Sequence, residues 1–473
     1  MSAEPTSPAN IYRIEMSRRQ RAAAAVLLMV ALLVSISVAL WAPQPGLWGL
    51  LPVVVYAFLA LFGVDMVLAT MAAIICGIIL ARVPPLEIGG LLLEALGDFV
   101  ALLGVIIMLG AGLGEVIRRT GVADYMVMGI VEKIGVDTRV RVRVGVMLAC
   151  TVLAFSLGTL AGSVAIVAPI IIPIAAVVGY TPPATAAMFF FSGLAGLILS
   201  PFAPATIAVF QSAPVSWGQY VLTAGGPVAL MIWFAGFLVV SWNQRRTEGR
   251  FAYPPERAAH PERAAATPSV KRATAAFLAT FVVLVVFAAW TKAGATFVPI
   301  AMVLLMTVVG LASWTAPGKI MDAFYTGASR LLGIFFLFWL LAILFKLIDS
   351  MKPYDAIVAQ FGGGLSALGP YLFAVAVALV GWVGVAGAAA AQAVLLAKVF
   401  GPVATALGIS PAAWTTVLLA SAQTDGLGPF PNPDMIGQMG LAESNSLKWQ
   451  LLSCWLVMIP VVGLYLLLLA VYT

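Results

Sequence analysis

Residues 173–184 read PIAAVVGYTPPA, and residues 402–413 read PVATALGISPAA. Pro173, Gly179 and Pro182 of the first stretch fall on Pro402, Gly408 and Pro411 of the second, an offset of 229 positions. Proline and glycine mark where helices start and stop, so two such runs in step point to two copies of one arrangement of helices. The offset holds further out. Leu102-Leu103-Gly104 falls on Leu331-Leu332-Gly333 and Gly158 on Gly387; one residue out of step, Pro201-Phe202 falls on Pro429-Phe430. No short solenoid period is visible.

Lipid is the expected solvent of both copies. Of 473 residues 62% are hydrophobic and 9% charged, and the mean hydropathy is +1.07, whereas an ordinary soluble domain is about 25% charged. The net charge of +6 does not point to nucleic acid, because the basic residues lie in short segments between apolar runs, where they set orientation. Cys76, Cys150 and Cys454 sit inside apolar runs without paired spacing, and the single histidine, His260, sits in a polar stretch. Neither a disulfide framework nor a histidine metal centre is expected. No cleavable signal is evident: the first 22 residues are polar and basic, and the run Ala23–Ala42 is long enough to span.

Two polar stretches divide the chain. One is the N-terminus with Arg13, Arg18, Arg19 and Arg21; the other is WNQRRTEGRFAYPPERAAHPERAAATPSVKR, residues 242–272. The expected organisation is an N-terminus with one extra helix (1–43), repeat A (44–243), a cytoplasmic linker (244–272) and repeat B (273–473). With both basic stretches cytoplasmic, repeat A starts outside and repeat B inside, so the repeats are expected to be inverted and the C-terminus periplasmic. The segment 118–143 carries Arg118, Arg119, Lys133, Arg139, Arg141 and Arg143 against Asp124, Glu132 and Asp137; its counterpart 347–372 has Lys352 against Asp349 and Asp355. That asymmetry has the sign the orientation requires.

Parity completes the topology. Runs 23–42, 47–64, 66–82, 97–117, 184–212 and 226–243 cross. The remaining run, 144–178, then enters and leaves on one side. Its arms, 144–157 and 164–178, are short of the roughly 20 residues a crossing needs, so it reads as a re-entrant hairpin with its tip at Gly158–Ser163. The counterpart is 371–401, with its tip at Gly384–Gly387. After each hairpin comes a span interrupted by prolines: FSGLAGLILSPFAPATIAVFQSA (191–213), broken at Ser200-Pro201 and Pro204, and LLASAQTDGLGPFPNPDMIG (418–437), broken across Gly426 to Pro433. Bare backbone at membrane depth is tolerated only where protein or a water-filled cavity satisfies it, and paired interrupted segments point to a transporter's binding site. Half-helix N-termini there offer N–H groups to an anion without any arginine.

Individual residues carry competing readings. Asp425, in the apolar run before the second break, is expensive unless it couples an ion; its alternative is a cap on a broken helix. Asp434 could couple an ion or cap the helix that restarts after Pro433. Gln423, Thr424 and Asn432 suit a substrate or sodium, or satisfy loosened backbone. Thr159 and Ser163, beside the tip glycines Gly158 and Gly162, are candidate ligands, with Gly387 and Gln392 on the second hairpin; hydroxyls often only bond a helical carbonyl. Ser200, Thr206 and Gln211 are weaker candidates. Glu115 and Lys346 read as interfacial charges that snorkel, Lys398 as an anion attractor or an interfacial lysine, and Asp65 as a solvated turn residue.

With these residues in place, the chain resembles the ion transporter superfamily. The likeness lies in ALLGVIIMLGAGLGEVIRRTGVADYMVMGIVEKIG (101–135), the tips GTLAGS (158–163) and GVAGAA (384–389), and the breaks SPFAPAT (200–206) and GPFPNPD (428–434). Gluconate permease-like, C-type sodium/proton antiporter-like and TRAP transporter large-subunit-like proteins are the relatives it resembles. The resemblance implies two re-entrant hairpins, a scaffold that forms a homodimer, elevator-type movement, and small carboxylates carried with H+ or Na+. The expectation is an all-α polytopic membrane protein in a bacterial inner membrane, transporting a small organic anion and needing no cofactor. A Na+/H+ antiporter and a membrane subunit dependent on a binding protein are the alternatives. No nucleophile–base pair, metal cluster or GxxxxGK[ST] loop suggests an enzyme or an ATP-driven pump.

Overall fold

The computed structural model describes residues 18–62, 64–135, 138–258, 267–291, 293–353, 356, 369–382, 389–422 and 426–473. His260, the expected second tip with Gly387, and Gln423, Thr424 and Asp425 lie outside them. Among the described residues every regular element is helical, and ten helices are long and apolar enough to cross a membrane. The chain is an all-α polytopic membrane protein.

The helices begin with α1 (Arg18–Trp41), α2 (Leu51–Leu61), α3 (Met66–Ala81), α4 (Ile88–Leu96), α5 (Phe99–Arg119) and α6 (Val122–Ile134). Then come α7 (Arg139–Leu157), α8 (Leu160–Val177), α9 (Pro182–Leu199), α10 (Pro204–Ser212) and α11 (Trp217–Thr247). After the linker follow α12 (Pro268–Thr291), α13 (Phe297–Ser313), α14 (Pro317–Ser329), α15 (Leu332–Met351) and α16 (Gly369–Trp382). The last are α17 (Ala389–Ala406), α18 (Pro411–Ala422), α19 (Pro433–Leu441) and α20 (Leu447–Tyr472). The starts of α8, α9 and α10 recur 229 residues later as the starts of α17, α18 and α19. Pro182, Pro204, Pro411 and Pro433 each open a helix, where the missing N–H would have had no partner anyway.

Two compact units form, residues 1–104 with 332–367, and residues 105–331 with 368–473. In the first, α3 packs on α1, α2 and α15, and α4 on α15. Gly77 lies against Leu347, and Trp339 Nε1 donates to the Leu92 carbonyl at 3.1 Å. Asp65 is a cap, not merely a solvated turn residue: its Oδ1 accepts from the amides of Val67 at 3.0 Å and Leu68 at 3.3 Å, starting α3. Lys346 stands 3.5 Å from Glu94, at the exposed rim.

The second unit is built around α9, which is apolar on every side and buried nearly throughout, as such a helix must be. It packs against α7, α8, α11 and α19. A side chain at Gly196 would begin 2.3 Å from the Thr151 carbonyl, so glycine sets the closest approach of α7 and α9. Thr151 Oγ1 uses it to donate to the Ser192 carbonyl at 2.9 Å.

Hydrogen bonds at helix ends give the directions. Thr181, capping the start of α9, takes Gln244 Oε1 on its N–H at 2.9 Å and meets the Thr247 hydroxyl at 2.6 Å, both at the end of α11. Asn243 Nδ2, also near the end of α11, donates to Ser453 Oγ at 2.8 Å near the start of α20. Ser410, just ahead of α18, donates to the carbonyl of Tyr472 at the end of α20 at 2.8 Å. So α9 runs against α11, α11 against α20, and α20 against α18. Helices in corresponding sequence places, α9 and α18 or α11 and α20, therefore run oppositely within this unit. Outside the spans, the Arg139 guanidinium 2.7 Å from Glu248 holds that carboxyl below the usual carboxylate range.

Glu115 departs from expectation. Its side chain is 3% exposed and is met by Arg118 at 2.5 Å, Arg119 at 2.8 Å and Arg330 at 3.4 Å. Arg119 continues to Asp322 on α14 at 2.5 Å. It does not snorkel, because the next turn of α5 supplies arginines at i+3 and i+4. Glu115→Gln should lower stability by about 1–2 kcal/mol in thermal unfolding, well below the roughly 3–5 kcal/mol of a fully buried pair, because the three arginines stay partly hydrated.

Candidate functional site

The first hairpin turns in two residues. Gly158, at φ +65°, ends α7 with its N–H on the Ala154 carbonyl, and Thr159 at once caps α8, its Oγ1 accepting from Gly162 N at 3.4 Å. The expected tip of 158–163 is thus too long, since Leu160–Ser163 already form the first turn of α8. The arms are 19 and 18 residues rather than 14 and 15. A left-handed glycine followed directly by an N-cap needs no loop, which sequence spacing alone does not reveal. Both arms now satisfy the length of a crossing helix, so shortness is no argument for re-entrance. Ser163 Oγ donates to the Thr159 carbonyl at 2.5 Å, so neither hydroxyl of this tip is unoccupied.

The tip rests on the first helix break. A side chain at Gly158 would begin 2.7 Å from the carbonyl carbon and oxygen of Phe202. The break, Ser200–Ala203 between α9 and α10, frees the last carbonyls of α9, and side chains cover them. Thr206 Oγ1 reaches Leu197 O at 3.1 Å and Ile198 O at 3.2 Å. Tyr220 donates to Ile198 O at 2.9 Å and Trp217 Nε1 to Leu199 O at 3.1 Å. Ser200 Oγ accepts from Phe202 N at 3.2 Å. Ser200 and Thr206 therefore serve broken backbone. Gln211 lies at the far end of α10.

The second break is covered the same way. Trp382 Nε1 donates to Ala420 O at 2.9 Å. Gln392 Nε2 donates to Ser421 O at 3.0 Å and to the Gly381 carbonyl. Asn432, 2% exposed, caps α19 by accepting from Met435 N at 2.8 Å, and its Nδ2 donates to Gly426 O at 2.9 Å. Trp455 Nε1 reaches Pro429 O at 3.1 Å. Trp217, Tyr220, Trp382 and Trp455 went unseen in the sequence, because an indole or phenol announces a donor but nothing local says which freed carbonyl it reaches.

The half-helices then cross over. α10 packs on α17 and α18, and α19 packs on α8 and α9, so each restarts against helices from the far half of the chain. Tip, breaks and arms come together in one unit. On these elements two amides are not satisfied. Gln392 Oε1 and both amide atoms of Gln438 are buried without a hydrogen-bond partner, Gln438 being 0% exposed. Each such group costs about 1–3 kcal/mol, and lipid offers no remedy. Asp434, half-buried on the same helix, makes no hydrogen bond or ion pair with a described residue. Gln438 was missed from sequence, although it lies one helical turn from Asp434. Lys398 is on α17 and has partners; α8, α9, α10, α18 and α19 contain no basic residue. Beside the second break lies a small apolar crevice with room for about one water molecule, lined by Trp382, Leu427, Pro429, Met458, Val461 and Tyr465 among others. The three cysteines are buried and free.

Against this geometry the likenesses to known proteins can be set. Residues 9–242, just under half of the chain, match a family model described as the Na+/H+ antiporter family. Comparison with curated proteins finds no match. The fold is similar to that of the Alcanivorax borkumensis YdaH transporter, whose crystal structure is described as having an unusual topology; the identity is 17%, the TM-score 0.54, and the match covers 81% of this chain and 86% of that one. Together the family match and the shared fold support a secondary, ion-coupled transporter.

Proposed function

We propose that the chain carries a small organic anion, a carboxylate, across a bacterial inner membrane, driven by H+ or Na+, with the hairpins and broken helices moving as an elevator. The observation that carries this reading is the crossing of the two half-helices, each restarting on helices from the far half of the chain. Such a crossing brings backbone dipoles together without basic side chains, which suits an anion held by N–H groups. Oppositely running α11 and α20 favour inverted repeats, with the N-terminus inside and the C-terminus outside. A homodimer is proposed on the resemblance alone.

The match to an antiporter family favours Na+/H+ exchange as a second reading. Against it, the first break has no acid, and its hydroxyls are engaged with backbone carbonyls and an amide. The test is thermal unfolding of the purified protein with a panel of carboxylates, in sodium-containing and sodium-free buffer. A bound ligand raises stability with the logarithm of its concentration, by about 2.7 kcal/mol at a hundred times Kd. Stabilisation by at least one carboxylate is expected; stabilisation by sodium or pH alone would replace this reading with the antiporter.

A further inference from the structure

We propose that Gln438 makes solute binding depend on a proton: protonated Asp434 engages its Oε1, and this leaves its Nε2 to hold the carboxylate of the transported anion. The inference rests on the carboxylate reading above and deepens it by naming the coupling ion and the residue through which it acts.

Asp434 and Gln438 are four residues apart on α19, so they share a face one turn apart, a spacing at which Gln and Asp side chains can hydrogen-bond. In the structure they do not: both amide atoms of Gln438 are buried and unpartnered. A carboxamide holds one donor group and one acceptor, and the state of its neighbour decides which end is used. An ionised carboxylate only accepts; it draws Nε2 and turns Oε1 outward, where it repels an anion. A protonated carboxyl donates to Oε1 and turns Nε2 outward. Only that arrangement offers a donor to an incoming carboxylate. One proton taken from solution onto Asp434 therefore accompanies each carboxylate bound, and it returns to solution when the carboxylate leaves.

The surroundings leave Asp434 as the group that titrates. Of the helices packed against α19, α8 and α9 have no charged or titratable side chain. α20 brings Lys448, which is exposed, Cys454 and Tyr465, which are buried, and Tyr472 at its far end. Glu443, just beyond α19, is paired with Arg257 at 2.6 Å.

The test measures binding of radiolabelled acetate, lactate and gluconate to the purified full chain at about pH 5.5 and about pH 8, on either side of neutrality. The wild type should bind at least one probe about 10-fold more tightly at the acid pH. Asp434→Asn, uncharged at both, should bind with one affinity. Gln438→Met should lose at least about 10-fold at acid pH, as for a hydrogen bond to a charged group. Should Gln438→Met not fold, Gln438→Glu, of the same size, should show the same loss when ionised. Wild-type affinity in both Gln438 variants sinks the inference while leaving the carboxylate reading standing. So does a pH dependence that survives in Asp434→Asn and disappears in Asp425→Asn. If the wild type binds none of the three probes at either pH, the carboxylate reading fails, and this inference with it.

Discussion

A valine at Gly158 is expected to destabilise the second unit by about 2–6 kcal/mol and to abolish ligand-dependent stabilisation. Two independent costs add. Gly158 holds φ +65°, where a β-branched residue is strained by about 1–3 kcal/mol. Its new side chain would also begin 2.7 Å from the backbone of Phe202, and overpacking costs about 1–3 kcal/mol more. The neighbour is main chain at a proline-broken turn, so no side chain can swing aside. Either the tip lifts off the break or the break moves, and both disturb the covered carbonyls of α9. Gly129→Ala, on α6 with nothing within 4 Å of the new carbon, is the control. Thermal unfolding with and without the carboxylate panel reads the difference; a Gly158→Val protein with the wild-type midpoint would show that tip and break do not touch.

The second large effect is at Asn432. Alanine there removes an N-cap, worth about 1 kcal/mol, and strips the Gly426 carbonyl of a buried donor, worth about 1–3 kcal/mol. About 2–4 kcal/mol should be lost. Asn432→Asp is the informative companion. It keeps the acceptor for Met435 N, 2.8 Å away, and loses the donor to Gly426 O, 2.9 Å away. It should recover the cap but not the break. Because α19 carries Asp434 and Gln438, Asn432→Ala should also weaken carboxylate binding more than its stability loss alone would, whereas Thr206→Val at the first break should cost stability only. Equal effects of the two on binding would argue that the breaks are equivalent.

Proline periodicity made the broken helices legible. Pro201 and Pro204, like Pro429 and Pro433, are paired within a few residues and break the helical ladder, whereas Pro402 and Pro460 stand singly and are carried inside α17 and α20. The 229-residue offset likewise anticipated the starts of α17, α18 and α19. Glu115 was legible only as a charge near a helix end. Its burial depends on Arg330, 215 positions away, which no local pattern connects to it. The hairpin arms were misjudged because the polar look of Gly158–Ser163 resembles a loop, although only two of those residues leave the helix.

Composition and the alternation of apolar runs with basic segments settled by themselves that the chain lives in lipid as helices, because the polar backbone must be satisfied internally there and long continuous apolar runs, unlike the alternating strands of a barrel, do so as helices. Tertiary structure decided which polar groups are already occupied. Ser200, Thr206, Thr159, Ser163 and Asn432 looked alike on paper and turn out to be bonded to backbone, while Gln438, one helical turn from Asp434, is left with an open donor and acceptor. A linear pattern reports a group's capacity to bond, whereas the folded backbone fixes whether a nearby turn or helix end has already filled it.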